Sequence, residues 1–180
     1  MCIMFLKKTI GLRSLEESDL EKLKKWRNLP HVNKTTREYK LLNMINQKKW
    51  FEKIHNDNPP SHIMFGIQNK SNELTGVCGL TYIDWKNKHS ELSIYLSKKK
   101  WQGSQQAKET IQIMLDYGFG EINLHRIYVE IFEIATENIK LFEKMKFKRE
   151  AVLRDKLWRD GRWWNSQIYS ILSLEYKNAK

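Results

Sequence analysis

Residues Glu91 to Glu109 read ELSIYLSKKKWQGSQQAKE, a run in which strand periodicity gives way to a short polar turn that opens directly into a helix. In Ser90 to Ser97, Leu92, Ile94 and Leu96 fall on one face and Glu91, Ser93 and Tyr95 on the other, because successive strand side chains point to opposite sides. Beyond the turn, a helix over Gly103 to Gly118 places Ala107, Ile111, Met114 and Leu115 on one stripe. A helix start offers unpaired main-chain amides and about half a positive charge. Gln102, Gly103, Ser104, Gln105, Gln106 and Ala107 put small or polar residues where a backbone must approach a ligand closely, so the turn suits a diphosphate. Lys98, Lys99, Lys100 and Lys108 surround it and add steering at long range.

Working outward, a first strand of about Lys8 to Arg13 leads to Ser18, whose hydroxyl is placed to cap a helix while Glu21 completes a capping box. Leu20, Leu23 and Trp26 follow on that helix. A second helix carries Trp50, Phe51 and Ile54 and stops before Asn58, Pro59 and Pro60. Ile63 to Gln68, Gly76 to Asp84 and His89 to Ser97 have strand composition and are separated by turn-prone segments, which predicts an antiparallel meander. After the central helix, Arg126 to Ile131 alternates Ile127, Val129 and Ile131 inward as a strand. A helix over Thr136 to Lys146 presents Ile139, Phe142 and Met145. Two closing strands, near Ala151 to Trp158 and Trp164 to Leu174, meet at Asp160-Gly161, a strong hairpin signal. The pattern is α+β: one central mixed, mostly antiparallel, twisted sheet flanked by about four helices.

The 180 residues, 41% hydrophobic and 12% aromatic, supply one sizeable core, and no linker or repeat divides them, so a single domain over residues 1–180 is expected. Lys plus Arg number 32 against 21 Asp plus Glu, a net charge of +11 that is dispersed and favours an anionic ligand. The composition excludes a disordered chain. Dispersed charge without a nucleic-acid motif argues against nucleic acid as a partner. No apolar run approaches the roughly 18 residues of a membrane span, and Met1 to Leu6 is too short for a signal peptide, so a cytoplasmic protein is expected. Cys2 and Cys78 form neither a disulfide framework nor a metal motif, and the five histidines have no ligand spacing, so neither disulfide nor metal is expected.

The order of these pieces resembles the GNAT acetyltransferases, and within them the branch acting on ribosomal-protein amino termini, spermidine or amino sugars. Gln102 and Ala107 match the ends of that family's acetyl-CoA turn, and Leu115-Asp116-Tyr117-Gly118-Phe119 follows at the expected distance. Leu124-His125-Arg126-Ile127, Lys140 through Phe147, Leu153-Arg154, Asp160-Gly161-Arg162 and Tyr169 through Leu172 are similar to its later strand, helix and closing hairpin. Leu12-Arg13, Asp19-Leu20 and Trp26-Arg27-Asn28 resemble the branch's opening. There are departures. Gln105 stands where the family usually has its first Gly, Ala135 where an Asn commonly reaches the cofactor, Phe142 where many members carry a proton-donating Tyr, and Lys146 in place of Gly.

The resemblance implies acetyl-CoA as cosubstrate and transfer of its acetyl group to a primary amine by direct attack in a ternary complex. A free amine with a pKa of about 10.4 is mostly charged near neutrality, so some group must receive its proton. Glu91, on the non-apolar face of its strand, is the candidate base; the alternative is an exposed carboxylate paired with a lysine. A main-chain amide between Ile94 and Leu96 is the candidate donor to the oxyanion, with Ser97 and Lys98 placed to touch the cofactor arm or phosphates and Asn138 carried as a further cofactor contact. Tyr95 either positions substrate, stacks on the cofactor or only packs. Trp26 and Arg27 are candidate substrate contacts, Arg27 as a bidentate partner for an acidic group and otherwise a surface arginine beside a core Trp26. Trp158, Trp163 and Trp164 either wall the acceptor pocket or clamp a partner chain, a homodimer included. The net charge suits an acidic acceptor better than a polyamine. Gln105, Ala135 and Phe142 together leave a second reading open, a CoA-binding module without turnover.

Overall fold

The computed structural model describes residues 5–98 and 104–178; Gln102 and Gly103 of the expected turn, with Lys99 and Lys100, lie outside them. Strands β1 (Phe5–Leu6), β2 (Ile10–Arg13), β3 (Ile63–Asn69), β4 (Leu74–Asp84), β5 (His89–Leu96), β6 (Arg126–Phe132), β7 (Lys148–Arg159) and β8 (Arg162–Leu172) form one sheet in the order β1-β2-β3-β4-β5-β6-β8-β7. Every neighbouring pair is antiparallel except β5 and β6, which run parallel. The helices are α1 (Leu20–Arg27), α2 (Pro30–Asn33), α3 (Met44–Asn56), α4 (Gln105–Asp116), α5 (Thr136–Lys144) and α6 (Ser173–Asn178).

Both faces of the sheet's central strands are covered. On one, Cys78, Leu80, Leu92, Ile127, Val129 and Ile131 pack against Ile111, Met114 and Leu115 of α4 and Leu141 and Phe142 of α5. On the other, Val77 and Tyr95 meet Leu20, Leu23 and Trp26 of α1 and Trp50, Phe51 and Ile54 of α3. This explains why β4 reads as a nearly continuous apolar run rather than an alternating one. Gly79 is required where β4 passes Ile63 and Met64 of β3: a Cβ there would stand 2.3 Å from the Ile63 carbonyl oxygen and 2.9 Å from the Met64 Cα.

Several predicted boundaries move, each for a local reason. The turn into α1 is fixed by a buried pair instead of by Ser18 and Glu21. Arg13 donates from Nη1 to Asp19 Oδ2 at 2.7 Å and from Nη2 to Asp19 Oδ1 at 2.8 Å, and Asp19 Oδ2 also accepts from the Glu16 amide at 3.0 Å. Asn43 and Asn46 cap α3 reciprocally, each side-chain oxygen accepting the other's main-chain N–H. The central helix begins at Gln105 rather than Gly103, with Ser104 as its cap, and gives way to a wider π turn over Tyr117–Glu121. The last strand ends at Leu172 because the chain turns into α6, and α2 occupies a stretch beginning at Pro30, where proline favours a first helical turn. Asp160 and Gly161 form the two-residue hairpin with φ of 51° and 75°, both left-handed.

Candidate functional site

The parallel pair at the centre of the sheet is short. Only His89, Ser90 and Glu91 of β5 face partners on β6, at Arg126, Ile127 and Tyr128, after which the strands diverge. On its other side β5 stays in regular register with β4 from Leu96 back to Glu91, and the Ser97 amide bonds to the Thr75 carbonyl at 2.9 Å. Hydrogen-bonding direction alternates along a strand. Ser97, Tyr95 and Ser93 therefore turn their amides toward β4, and Ile94 and Leu96 turn theirs into the gap that β6 has left. Of the amides from Ile94 to Leu96, these two face the gap and that of Tyr95 does not.

The gap is lined by a small cavity of about 40 Å³ bounded by Val32, Thr35, Ile94, Tyr95, Leu96, Ala107, Asn138, Leu141 and Phe142. It shares Val32, Thr35, Ile94, Tyr95, Asn138 and Phe142 with a cleft of about 620 Å³ that runs toward α1 and α3. Phe142 is buried in the wall against Phe147 and offers no proton. Asn138 is half-buried and lines both the cavity and the cleft. These surroundings, two outward strand amides, a carboxamide and an apolar floor, fit an extended amide-containing chain.

Glu91 sits where the strands part. It is 7% exposed, not an exposed carboxylate, and its partner is an arginine from a distant segment: Arg37 Nη2 donates to Glu91 Oε1 at 2.6 Å. The same nitrogen reaches Glu130 Oε2 at 2.8 Å, and Ser166 Oγ donates to Glu130 Oε1 at 2.7 Å. Burial pushes Glu130 upward, but Ser166 and Arg37 outweigh it and hold the carboxyl below its ordinary value. Both Glu130 oxygens are thus engaged. Glu91 Oε2 has no hydrogen-bond partner among the described residues, so of the two carboxylates Glu91 has the acceptor to spare.

The cleft's charges are not balanced. Its lining holds Arg27, Arg37, Lys40, Lys49 and Lys53 against Glu38, Glu91 and Glu130. Lys40 lies 3.2 Å from Glu38 and Arg37 bridges the other two carboxylates, whereas no ion pair joins Arg27, Lys49 or Lys53 to a carboxylate among the described residues. The Arg27 guanidinium instead lies 5.9 Å from the centroid of the Tyr95 ring, which packs beneath α1 and α3. Burial pushes the Tyr95 phenol upward, although Arg27 opposes the shift. Burial and then the Lys53 cation hold His62, another lining residue, below its usual 6.5.

Other expected site residues are placed as follows. Leu96 is buried in the wall of the small cavity, Ser97 follows the end of β5 and Lys98 is exposed beside it. Ser104 uses its hydroxyl to accept from the Ala107 amide. The Gln105 side chain donates along α4 to Glu109 Oε1 at 2.9 Å, while Glu109 Oε2 accepts from the Thr9 amide and hydroxyl. Gln106 Oε1 is buried without a partner. Trp26 packs with α3 instead of lining the cleft. Trp158, Trp163 and Trp164 do not line it either; among the described residues Trp50 is the tryptophan that does. Trp158 and Trp163 remain exposed, with ring centroids 5.1 Å apart. Among the described residues no three His, Cys, Asp or Glu side chains gather to hold a metal, and no helix is long and apolar enough to cross a membrane.

Arg37, Glu130 and Ser166 complete the hydrogen-bond network at Glu91, and sequence reasoning did not pick them out. Glu130 carried a signal: Ile127, Val129 and Ile131 alternate inward, so Tyr128 and Glu130 had to share a face with Glu91. Arg37, in an irregular segment 54 positions from Glu91, carried none.

A family model described as an acetyltransferase (GNAT) domain matches residues 12–168. The chain is 25% identical over 169 residues to the spermidine N(1)-acetyltransferase of Vibrio cholerae, covering 94% of this chain and 96% of that one. It is 34% identical over 110 residues to the uncharacterized N-acetyltransferase p20 of Bacillus licheniformis, a stretch that spans only 61% of that relative's length. The crystal structure of spermidine N-acetyltransferase from Vibrio cholerae in complex with CoA and spermine superposes with a TM-score of 0.85 at 25% identity, over 94% of this chain and 98% of that one. With the parted β5 and β6 strands and a family match running from β2 to β8, the chain belongs to the GNAT acetyltransferase family.

Proposed function

We propose that the protein transfers the acetyl group of acetyl-CoA to the primary amine of an acceptor that also bears an anionic group, within one ternary complex. Acetyl-CoA supplies an activated thioester. The Ile94 and Leu96 amides and Asn138 hold its amide-containing arm and receive charge developing on the thioester oxygen. Glu91 takes the amine's proton, directly or through a water, on its unengaged oxygen. Arg37 fixes Glu91 in place and stays paired with it. The cations Arg27, Lys49 and Lys53 hold the acceptor's anionic group. The observation that carries this reading is Glu91 at the point where β5 leaves β6, with a spare oxygen in the cleft that Ile94 also lines.

Two observations favour other outcomes. The Vibrio cholerae relative and structure are named for spermidine, which points to a polyamine acceptor; the three carboxylates of this cleft, however, are already paired with cations. Phe142, which cannot return a proton to the thiolate, points to CoA binding without turnover.

One assay separates the readings. Free thiol release from acetyl-CoA is followed with an acidic peptide, a nucleotide amino sugar, spermidine and spermine. Release with the first two supports the proposal, and release with polyamines alone transfers the acceptor to that class. Heat of acetyl-CoA binding by calorimetry with no thiol release from any amine supports the silent module, and absence of heat at millimolar concentration overturns all of these readings.

A further inference from the structure

Arg159, the last residue of β7, is 7% exposed, yet no hydrogen bond joins it to a carboxylate among the described residues. A buried cation demands compensation, and here main-chain oxygens provide it. Nη1 donates to the Trp158 carbonyl at 2.7 Å, and Nη2 to the Thr36 carbonyl at 2.8 Å and the Arg37 carbonyl at 3.4 Å. The guanidinium also lies 4.3 Å from the centroid of the Tyr39 ring. The neighbouring Asp160 accepts from Lys34 at 2.8 Å. The tip of the β7–β8 hairpin therefore grips the irregular segment 34–40 on both sides of Arg37. At its far end that segment is tied to the helices by Asn33, whose Nδ2 donates to the Lys40 carbonyl at 3.0 Å, and by Asn28, which exchanges two hydrogen bonds with the Leu42 peptide.

We propose that Arg159 is a positioning residue for acetyl transfer: by clamping the carbonyls of Thr36 and Arg37 it sets the Arg37 guanidinium across Glu91 and Glu130, and so aims the free Glu91 oxygen. The hairpin's cation acts on chemistry it does not touch. This inference rests on the reading of Glu91 as the proton acceptor.

The first test needs no turnover. The Arg37 Nε–H, which donates to Glu130 at 3.2 Å, is followed as an arginine side-chain signal in ¹⁵N NMR spectra and assigned with Arg37→Lys. Arg159→Gln is expected to shift or broaden that signal while the Arg13 signal, in its separate buried pair, stays in place. A folded Arg159→Gln protein with an unchanged Arg37 signal would overturn the inference. The second test is kinetic, using whichever acceptor from the panel above releases thiol fastest. Arg159→Gln is expected to lower kcat on the order of tenfold through misplacement of the reacting groups, with the acetyl-CoA KM within about twofold. In an Arg37→Gln background the same change is expected to add nothing, whereas losses that multiply would refute action through Arg37. Where Arg159→Gln fails to fold, Arg159→Lys, which keeps the charge and loses the fork, replaces it with the same outcomes. An Arg37→Gln protein with unaltered kcat would refute the role of the Glu91 pair itself, a result separate from the NMR outcome.

Discussion

Glu91 and Glu130 face the same cleft, hold the same arginine and still differ in one respect, the number of oxygens left to accept a proton. Both Glu130 oxygens are bonded, to Arg37 and Ser166, and one Glu91 oxygen has no partner among the described residues. Glu91→Gln is therefore expected to lower kcat by roughly 10²- to 10⁴-fold, the usual worth of a positioned general base, with the acetyl-CoA KM retained. Glu130→Gln, which removes a charge but no proton acceptor, is expected to cost no more than about tenfold, within the range of an altered neighbouring charge. Thiol-release kinetics check both, and equal losses would remove the distinction. The sequence supported Glu91 through simple alternation, because Leu92, Ile94 and Leu96 had to share the opposite face. Its partner was beyond reach: Arg37 comes from a segment without periodicity, and only the folded chain brings the two together.

At the level of elements, main-chain geometry decides which residues matter. The gap between β5 and β6 exists because their ladder stops after three residue pairs, and a strand edge without a neighbour is what leaves Ile94 and Leu96 with amides to offer. Gly79 shows the opposite case, an approach so close that a methyl group would meet the Ile63 carbonyl oxygen at 2.3 Å. Gly79→Ala is expected to destabilise the protein by about 2 kcal/mol, in the range of other overpacked cores, as read by chemical denaturation. Asn43→Ala removes one half of the reciprocal cap of α3, with an expected loss of about 1 kcal/mol by the same measurement. The Asp160-Gly161 hairpin was plain in the sequence because two consecutive left-handed residues call for this chemistry. The start of α1 was not. Ser18 with Glu21 matched a capping pattern, but the Arg13–Asp19 pair, assembled from a strand and a turn, won the competition for that corner.

Across the whole molecule, buried and bonded carboxylates set the response to acid. Burial alone would raise Asp19, Glu109 and Glu130. Arg13 for Asp19, Gln105 and Thr9 for Glu109, and Ser166 and Arg37 for Glu130 more than reverse it, leaving all three below their ordinary values of 3.8 and 4.5. Groups lowered in this way stabilise the fold above the unfolded-state value and lose that contribution as pH falls through the folded-state value. His62, held below 6.5, acts in the same direction, since unfolding frees it to take a proton. Thermal stability is thus expected to decline as pH drops below about 6.5 and more steeply below about 4.5. Asp19→Ala, which strands Arg13 in the interior, is expected to cost about 3–5 kcal/mol at neutral pH and to flatten the acid limb. The net charge of +11 and the cleft cations without an ion-pair partner among the described residues act at longer range. For an anionic acceptor, kcat/KM is expected to fall with added salt, and for a polycation to rise, as screening removes attraction or repulsion.

Periodicity, composition and turn chemistry by themselves determined the antiparallel meander, the strand leading to the central helix, the inward alternation of β6 and the closing hairpin, because each is fixed by neighbours within a few residues. Tertiary structure alone decided that Arg37 joins Glu91 to Glu130, that Arg159 grips the segment carrying Arg37, and that Trp50 rather than the hairpin tryptophans walls the cleft. Those contacts join residues tens to more than a hundred positions apart. Their energies appear only once the sheet and its two helical layers have brought the partners within hydrogen-bonding distance, so no local pattern records them.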